Sequence, residues 1–188
     1  MAIRTTHQHA NVGTGRGRAT GAVPEDDSQR MVPRLTSEQV WQALAKASFA
    51  ILGYVTPSGE PRSSGVMYKT IGQRLYVAVA ADSWKAKHIP ASGRVAVTVP
   101  VCRGGILSLV APIPPATISV HGTANVHAAD SPQVRSLLKE LGSLIPSERQ
   151  VSGSIVEIVP EGAFVTYGLG VSLMKMRDPA AARARVPV

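Results

Sequence analysis

FAILGYVTPSGEPRSSGVMYKTIGQRLYVAVAADSWKAKHIPASGRVAVTVP, residues Phe49–Pro100, decides the fold. Phe49 to Thr56 is apolar at both alternating sets of positions, Phe49, Ile51 and Val55 against Ala50, Leu52 and Tyr54. Such a strand is expected to be covered on both faces, as barrel strands can be. Pro57 and Gly59 suit a type I turn. The return strand, Arg62 to Thr70, opens with Arg62-Ser63-Ser64-Gly65 where a plain core strand would carry Val or Ile. Gly65 leaves room for a flat ligand or another backbone. Ile71-Gly72-Gln73 makes the next turn, and Leu75, Val77 and Val79 alternate with Tyr76, Ala78 and Ala80 in a third strand. The valines up to Pro100 supply a fourth.

Between the third and fourth strands lies Asp82-Ser83-Trp84-Lys85-Ala86-Lys87-His88-Ile89-Pro90. Asp82 or Ser83 is a good N-cap, and Pro90 is expected to stop the helix after about two turns. A helix N-terminus presents unpaired N–H groups and partial positive charge, which suits an anion. Lys85 falls in the first turn, where its charge opposes the dipole unless an anion binds there or the side chain points into water. Lys87 lies on a different side of the helix. Taken alone, the helix is equally consistent with two solvated lysines.

The run Phe49–Val101 resembles the flavin-binding split-barrel superfamily, which includes pyridoxamine phosphate oxidase-like proteins and the deazaflavin-dependent (coenzyme F-420) reductases of actinobacteria. The resemblance rests on a Gly59-Glu60-Pro61 hairpin, the strand Ser63-Ser64-Gly65-Val66, the helix start Ser83-Trp84-Lys85 and the valine strand that follows. It implies a mainly β chain with flanking helices folded as a split β-barrel of the FMN-binding type, assembled as a homodimer with each pocket completed by the second chain. It further implies an oxidoreductase using FMN or coenzyme F-420 on a small organic substrate. Ser83 and Lys85, helped by Lys87, would hold the cofactor phosphate; Ser63, Ser64, Gly65 and Val66 would lie along the ring system, with Met67 and Tyr68 as further candidates. Trp84 is bulkier than the family's usual residue, and His88 stands where many members have Asn or Asp. Pyridoxamine phosphate oxidase activity itself is not expected, because the chain ends Arg185-Val186-Pro187-Val188 and not in the Arg-Leu-x-Pro signature of those enzymes. The alternative is a non-catalytic carrier or sensor of FMN, deazaflavin or haem on the same barrel, with His88, His121 and His127 as candidate haem ligands.

The rest of the chain reads as walls and tails. The 188 residues, 44% hydrophobic and 17% charged, suit one globular domain with a substantial core. Residues 1–34 read as a flexible arm, 35–170 as the barrel domain and 171–188 as a C-terminal extension with a short helix. The net charge of +8 is concentrated at the ends: five basic against three acidic residues in 1–34, and four against one in 171–188, leave +3 for the body. That distribution disfavours a nucleic-acid face on the fold and permits a local basic groove for an anionic cofactor. Arginine far outnumbers lysine and alanine is abundant, a bias of high-GC genomes such as those of actinobacteria.

The arm has no apolar segment resembling a signal peptide or membrane span, and Gly13-Thr14-Gly15-Arg16-Gly17-Arg18 lacks the strand and helix that a dinucleotide fingerprint requires. Thr36-Ser37-Glu38-Gln39 is a capping box ahead of Val40, Leu44 and Ala47 at helical spacing. Ile106 to Val110 reads as a short strand. From Thr117 to His127 the sequence alternates, with Ile118, Val120, Gly122, Ala124 and Val126 on the core face and both His121 and His127 on the polar one. Those histidines stand about 20 Å apart along a strand, so they cannot share a metal and are expected to face solvent or a partner subunit. Ser131-Pro132 starts a helix that Gly142 ends. Two last strands are read at Ser154–Pro160 and Ala163–Tyr167, followed by Met174 and Met176 in a segment that packs or closes over a pocket. Asp178-Pro179 caps a short helix over Ala180–Arg185.

Cys102 is the one cysteine, which excludes an internal disulfide and a cysteine-cluster metal site and fits a reducing cytoplasm. No metal site is expected. No G-x-S-x-G elbow or paired-carboxylate arrangement is present, an absence that fits chemistry carried by a cofactor.

Overall fold

In the computed structural model, residues 35–103, 114–128, 131, 136–137 and 153–188 are described. Thr36 and Gln39 form the expected capping box: the Gln39 amide donates to Thr36 Oγ1 at 3.3 Å, and the Thr36 amide donates to Gln39 Oε1 at 3.0 Å. Helix α1 (Ser37–Lys46) therefore starts where the sequence places it, and its stripe of Val40, Trp41 and Leu44 is buried. The Tyr68 hydroxyl donates to the Leu44 carbonyl at 2.7 Å, tying the last turn of α1 to the sheet. Burial pushes the Tyr68 phenol pKa up, so it remains a donor. The Trp41 ring meets Phe164 edge-on at 5.3 Å.

Seven strands follow: β1 (Phe49–Val55), β2 (Pro61–Ile71), β3 (Arg74–Ala80), β4 (Arg94–Val101), β5 (Ala116–His127), β6 (Gly153–Tyr167) and β7 (Arg183–Pro187). All pair antiparallel in the order β3-β2-β1-β4-β5-β6-β7, and β3 also pairs with β6. The first six strands thus close into a barrel, leaving β2 and β3 unpaired with each other beyond Tyr68 and Val77, and β7 lies outside it on β6. Helix α2 (Trp84–Ser92) packs against β1, β3 and β5, α1 packs against β2 and β4, and both helices add side chains to one core. Leu52, Leu75, Val77, Ile89, Ile118, Val156 and Ile158 are fully buried there.

Several expectations are corrected. β1 is covered on one face only: Ala50, Leu52 and Tyr54 are buried, whereas Phe49, Ile51 and Val55 are 45%, 44% and 40% exposed. Its second apolar face has no cover among the described residues. Pro90 lies inside α2 and does not end it; Gly93, at φ 62°, ends it by donating its amide to the Ile89 carbonyl at 2.8 Å. The two last strands are one, because Gly162 at φ 72° and a register shift opposite Ser119 and His121 bend β6 without breaking it. Asp178 caps the C-terminal helix as expected, but this helix, α3, spans only Pro179–Ala182; Arg183–Pro187 pairs with Ala163–Tyr167 as β7. Met176 packs, being 7% exposed. The strand read at Ile106–Val110, the arm of residues 1–34 and most of the helix read at Ser131–Gly142 lie outside the described residues.

His127 does not simply face solvent. Its Nε2 lies 2.7 Å from Glu157 Oε2, while Arg74 donates to Glu157 Oε1 and the Tyr76 hydroxyl approaches the same oxygen at 3.3 Å. One carboxylate therefore joins β3, β5 and β6. Burial pushes the Glu157 carboxyl pKa up, but hydrogen bonds and charge from Arg74 and His127 outweigh it and hold the carboxyl below its usual range. A depressed native pKa contributes stability above the unfolded value of about 4.3 and loses it as pH falls through the native value. Glu157→Gln is expected to cost about 1–3 kcal/mol at pH 7. Urea unfolding at stepwise lower pH should show this difference shrinking below about pH 4; a pH-independent difference would rule out the ionic origin.

Candidate functional site

Strand pairing creates the site. β2 and β3 leave a tight turn at Gly72 and Gln73 (φ 53° and 60°) and pair from Ile71↔Arg74 to Tyr68↔Val77. There the ladder stops. β3 continues against β6 alone, from Ala78↔Ile155 to Ala80↔Gly153, and β2 continues against β1 alone, from Met67↔Phe49 to Pro61↔Val55. Backbone direction alternates along a strand, and the Tyr68 amide donates to Ser48 on the β1 side at 2.9 Å. The amides and carbonyls of Val66 and Ser64 accordingly face β1. Those of Met67, Gly65 and Ser63 face the split, where no strand pairs with them among the described residues. A flat ligand with hydrogen-bonding edges can take the place of the missing strand partner.

At the end of β3 the Ser83 amide donates to the Ala80 carbonyl at 3.0 Å, and Ser83 becomes the N-cap of α2. Ser83 Oγ accepts from the Ala86 amide at 3.3 Å, leaving its O–H free to donate. The amides of Trp84 and Lys85 have no acceptor within the helix. Lys85 is half-buried, on the stripe that also carries the fully buried Ile89, and makes no hydrogen bond or ion pair among the described residues. Lys87 is exposed, with Nζ 5.6 Å from the centre of the Trp84 ring. A hydroxyl, two amides and one or two ammonium groups can bind a phosphate here.

No protein-family model matches the sequence, and no curated protein matches it. Solved structures do. The haem storage protein HutZ from Vibrio cholerae aligns at a TM-score of 0.57 and 14% identity, over 72% of this chain and 96% of its own. A haem-binding protein from Mycobacterium smegmatis gives 0.56 and 14%, over 73% and 56%. An FAD-binding protein from Mesorhizobium loti gives 0.51 and 18%, over 68% and 91%. The chain shares with these proteins the split β-barrel fold, an antiparallel barrel with flanking helices.

Within this split barrel the residues singled out from the sequence fall into distinct sets. Ser63 and Gly65 lie on the outer face of β2 and turn their backbone groups into the split. Ser64, opposite the fully buried Leu52, and Val66, 8% exposed, point into the barrel. Only the first pair can meet a ligand in the split directly. Ser64 Oγ is buried with no partner among the described residues. Ser83, Lys85 and Lys87 gather at the start of α2. Met67 is outward and 46% exposed, whereas Tyr68 is committed to Leu44. The space at Gly65 is occupied on the outer side by a residue that no sequence motif marks: a Cβ there would lie 2.9 Å from Cε2 and Cζ of Phe49. Ala78 and Ala80, small and outward on β3, also border the split unmarked by any motif; their size is the one signal the sequence offers.

The histidines do not converge, and no group of three metal-ligating residues occurs among the described residues. The His88 ring stands 5.1 Å from Trp84 and 6.3 Å from Tyr54, with Nδ1 buried and without a partner among the described residues. His121 is exposed near Gly162. No helix among the described residues is long and apolar enough to cross a membrane.

Proposed function

We propose that this split barrel is a flavin- or deazaflavin-dependent oxidoreductase that binds FMN or coenzyme F-420 between β2 and β3. The observation that carries the reading is the interrupted β2–β3 ladder with the N-terminus of α2 at the end of the same strand, β3. The residues fit such a group: Ser63, Gly65 and Met67 offer backbone donors and acceptors to a ring edge, Ala78 and Ala80 leave space beside it, and Ser83 and Lys85 offer a phosphate site. When bound, the cofactor supplies hydride transfer. The protein's own residues bind its anionic end, fix the ring against β2 and exclude water. The substrate is a small organic molecule, and the cytoplasm supplies the reducing setting in which the exposed Cys102 stays a thiol.

The outer face beside the split carries Phe49, Ile51, Val55 and Met67, all 40–46% exposed. A second copy docked over Ile51, Val55 and Met67 would bury those three side chains and wall the split, leaving Phe49 to face it, so we assign the functional state to a homodimer. Ile51→Lys should shift the protein from dimer to monomer in analytical ultracentrifugation; a dimer that persists unchanged would exclude this face.

The haem alternative draws on the unpartnered Nδ1 of His88 and on the two haem-protein structures of similar fold. One set of titrations separates the readings. Saturable binding of FMN or coenzyme F-420, followed by fluorescence, with turnover of the reduced cofactor by an electron acceptor, supports the oxidoreductase. Tight flavin binding without turnover supports a carrier, and a Soret band lost in His88→Ala supports the haem protein.

A further inference from the structure

The outer face of β2 holds a contact that phosphate binding does not use. Phe49 pairs with Met67, and Gly65 pairs with Ile51, so the Phe49 ring reaches diagonally across the sheet to rest on Gly65. Gly65 is also the middle residue of the Ser63-Gly65-Met67 edge that turns toward the split. Despite this contact Phe49 remains 45% exposed. A ring that served only to shield the glycine backbone would gain most from being covered itself. This one keeps aromatic surface open beside a row of backbone hydrogen-bonding groups that no strand pairs with among the described residues.

Resting on the flavin reading above, we infer that Phe49 is the aromatic wall of the site, in contact with a tricyclic heteroaromatic ring hydrogen-bonded along the free edge of β2. Aromatic rings meet stably in offset or edge-on arrangements, which tolerate the chemical difference between a flavin and a deazaflavin. Gly65 is glycine because any side chain there would push the wall away: with Cβ at 2.9 Å from two ring carbons, Phe49 must move. The second strand thus positions the ring twice, by its own backbone and through the neighbour that it allows to lie on it.

The test is an FMN titration of wild type, Phe49→Ala, Phe49→Trp and Gly65→Ala, with thermal unfolding of each cofactor-free protein in parallel. Phe49→Ala is expected to weaken binding about tenfold, equivalent to about 1.4 kcal/mol. Gly65→Ala should weaken it in the same direction. Phe49→Trp should retain binding but quench the emission of bound FMN well below the wild-type level, since an indole in contact donates an electron to the excited flavin. This spectroscopic change is one that a purely structural role would not produce. If wild type binds FMN and the Phe49 variants bind it equally, with unchanged emission, the wall assignment is wrong and the flavin reading stands. The wall assignment also fails if Phe49→Ala lowers only the unfolding temperature. If wild type binds neither FMN nor coenzyme F-420, both readings fall together.

Discussion

Gly122→Ala is expected to lower the midpoint of thermal unfolding by about 6–12 °C, a loss of roughly 3 kcal/mol. Gly122 is on the core face of β5 opposite Pro160, where β6 bends across the barrel. A Cβ built there would lie 2.2 Å from the Val159 carbonyl oxygen, 2.9 Å from its carbonyl carbon and 3.0 Å from Pro160 Cα. All three are backbone atoms, so no side-chain rotation can relieve the overlap, and β5 and β6 must separate. Those strands share the longest ladder of the barrel, and β6 also closes it against β3. Gly53→Ala is the control: its Cβ would meet Ala96 at an ordinary 3.6–3.8 Å. There the lower entropy of the unfolded chain should leave stability within about 1 kcal/mol of wild type. Calorimetry of both variants decides the matter; equal midpoints would show that the approach of β6 to Gly122 is not as close as described.

Gly122 also marks what sequence can and cannot convey. Its place in the alternation of Ile118, Val120 and Ala124 is legible, because a strand's period of two fixes its face. The reason for glycine there is not, because the offending carbonyl belongs to a strand nearly forty residues later. Local signals are legible: the Thr36–Gln39 capping box, the Gly72-Gln73 turn and the α2 cap, narrowed by sequence to Asp82 or Ser83 and by the structure to Ser83, each satisfy backbone groups within a few residues. Signals that depend on distant partners mislead. Arg183–Pro187 looks helical by its alanine, yet β6 offers it an open edge, and pairing overrides propensity. Pro90 would end an isolated helix, but Ile89 packs into the core and Gly93 supplies the stop. β1 is apolar on both sides although only one side meets the core. The split itself emerges only when β3 is seen to leave β2 for β6. Ser83 and Lys85 are legible as candidates, since a possible cap and the lysine after it are neighbours in sequence and the family resemblance singles them out; the contact of Phe49 with Gly65 is not, because it depends on cross-strand register.

Lys85→Ala is expected to weaken FMN binding by about 2 kcal/mol, or ~30-fold, the usual worth of a hydrogen bond to a charged group. Lys85 is half-buried on the same stripe as Ile89 and two residues from the cap, where its charge opposes the helix dipole unless an anion offsets both. Lys87 is more exposed and already leans on the Trp84 ring, so Lys87→Ala should cost no more than about threefold. Riboflavin provides the decisive comparison, since it keeps the isoalloxazine ring and lacks the phosphate. Its affinity should be the same for wild type and Lys85→Ala, and the FMN difference should narrow as salt is raised toward about 1 M. Equal losses for FMN and riboflavin would mean that Lys85 supports the ring pocket or the fold. An unchanged FMN affinity would remove the phosphate from the start of α2 altogether, leaving the free edge of β2 to be explained by a ligand without an anionic end.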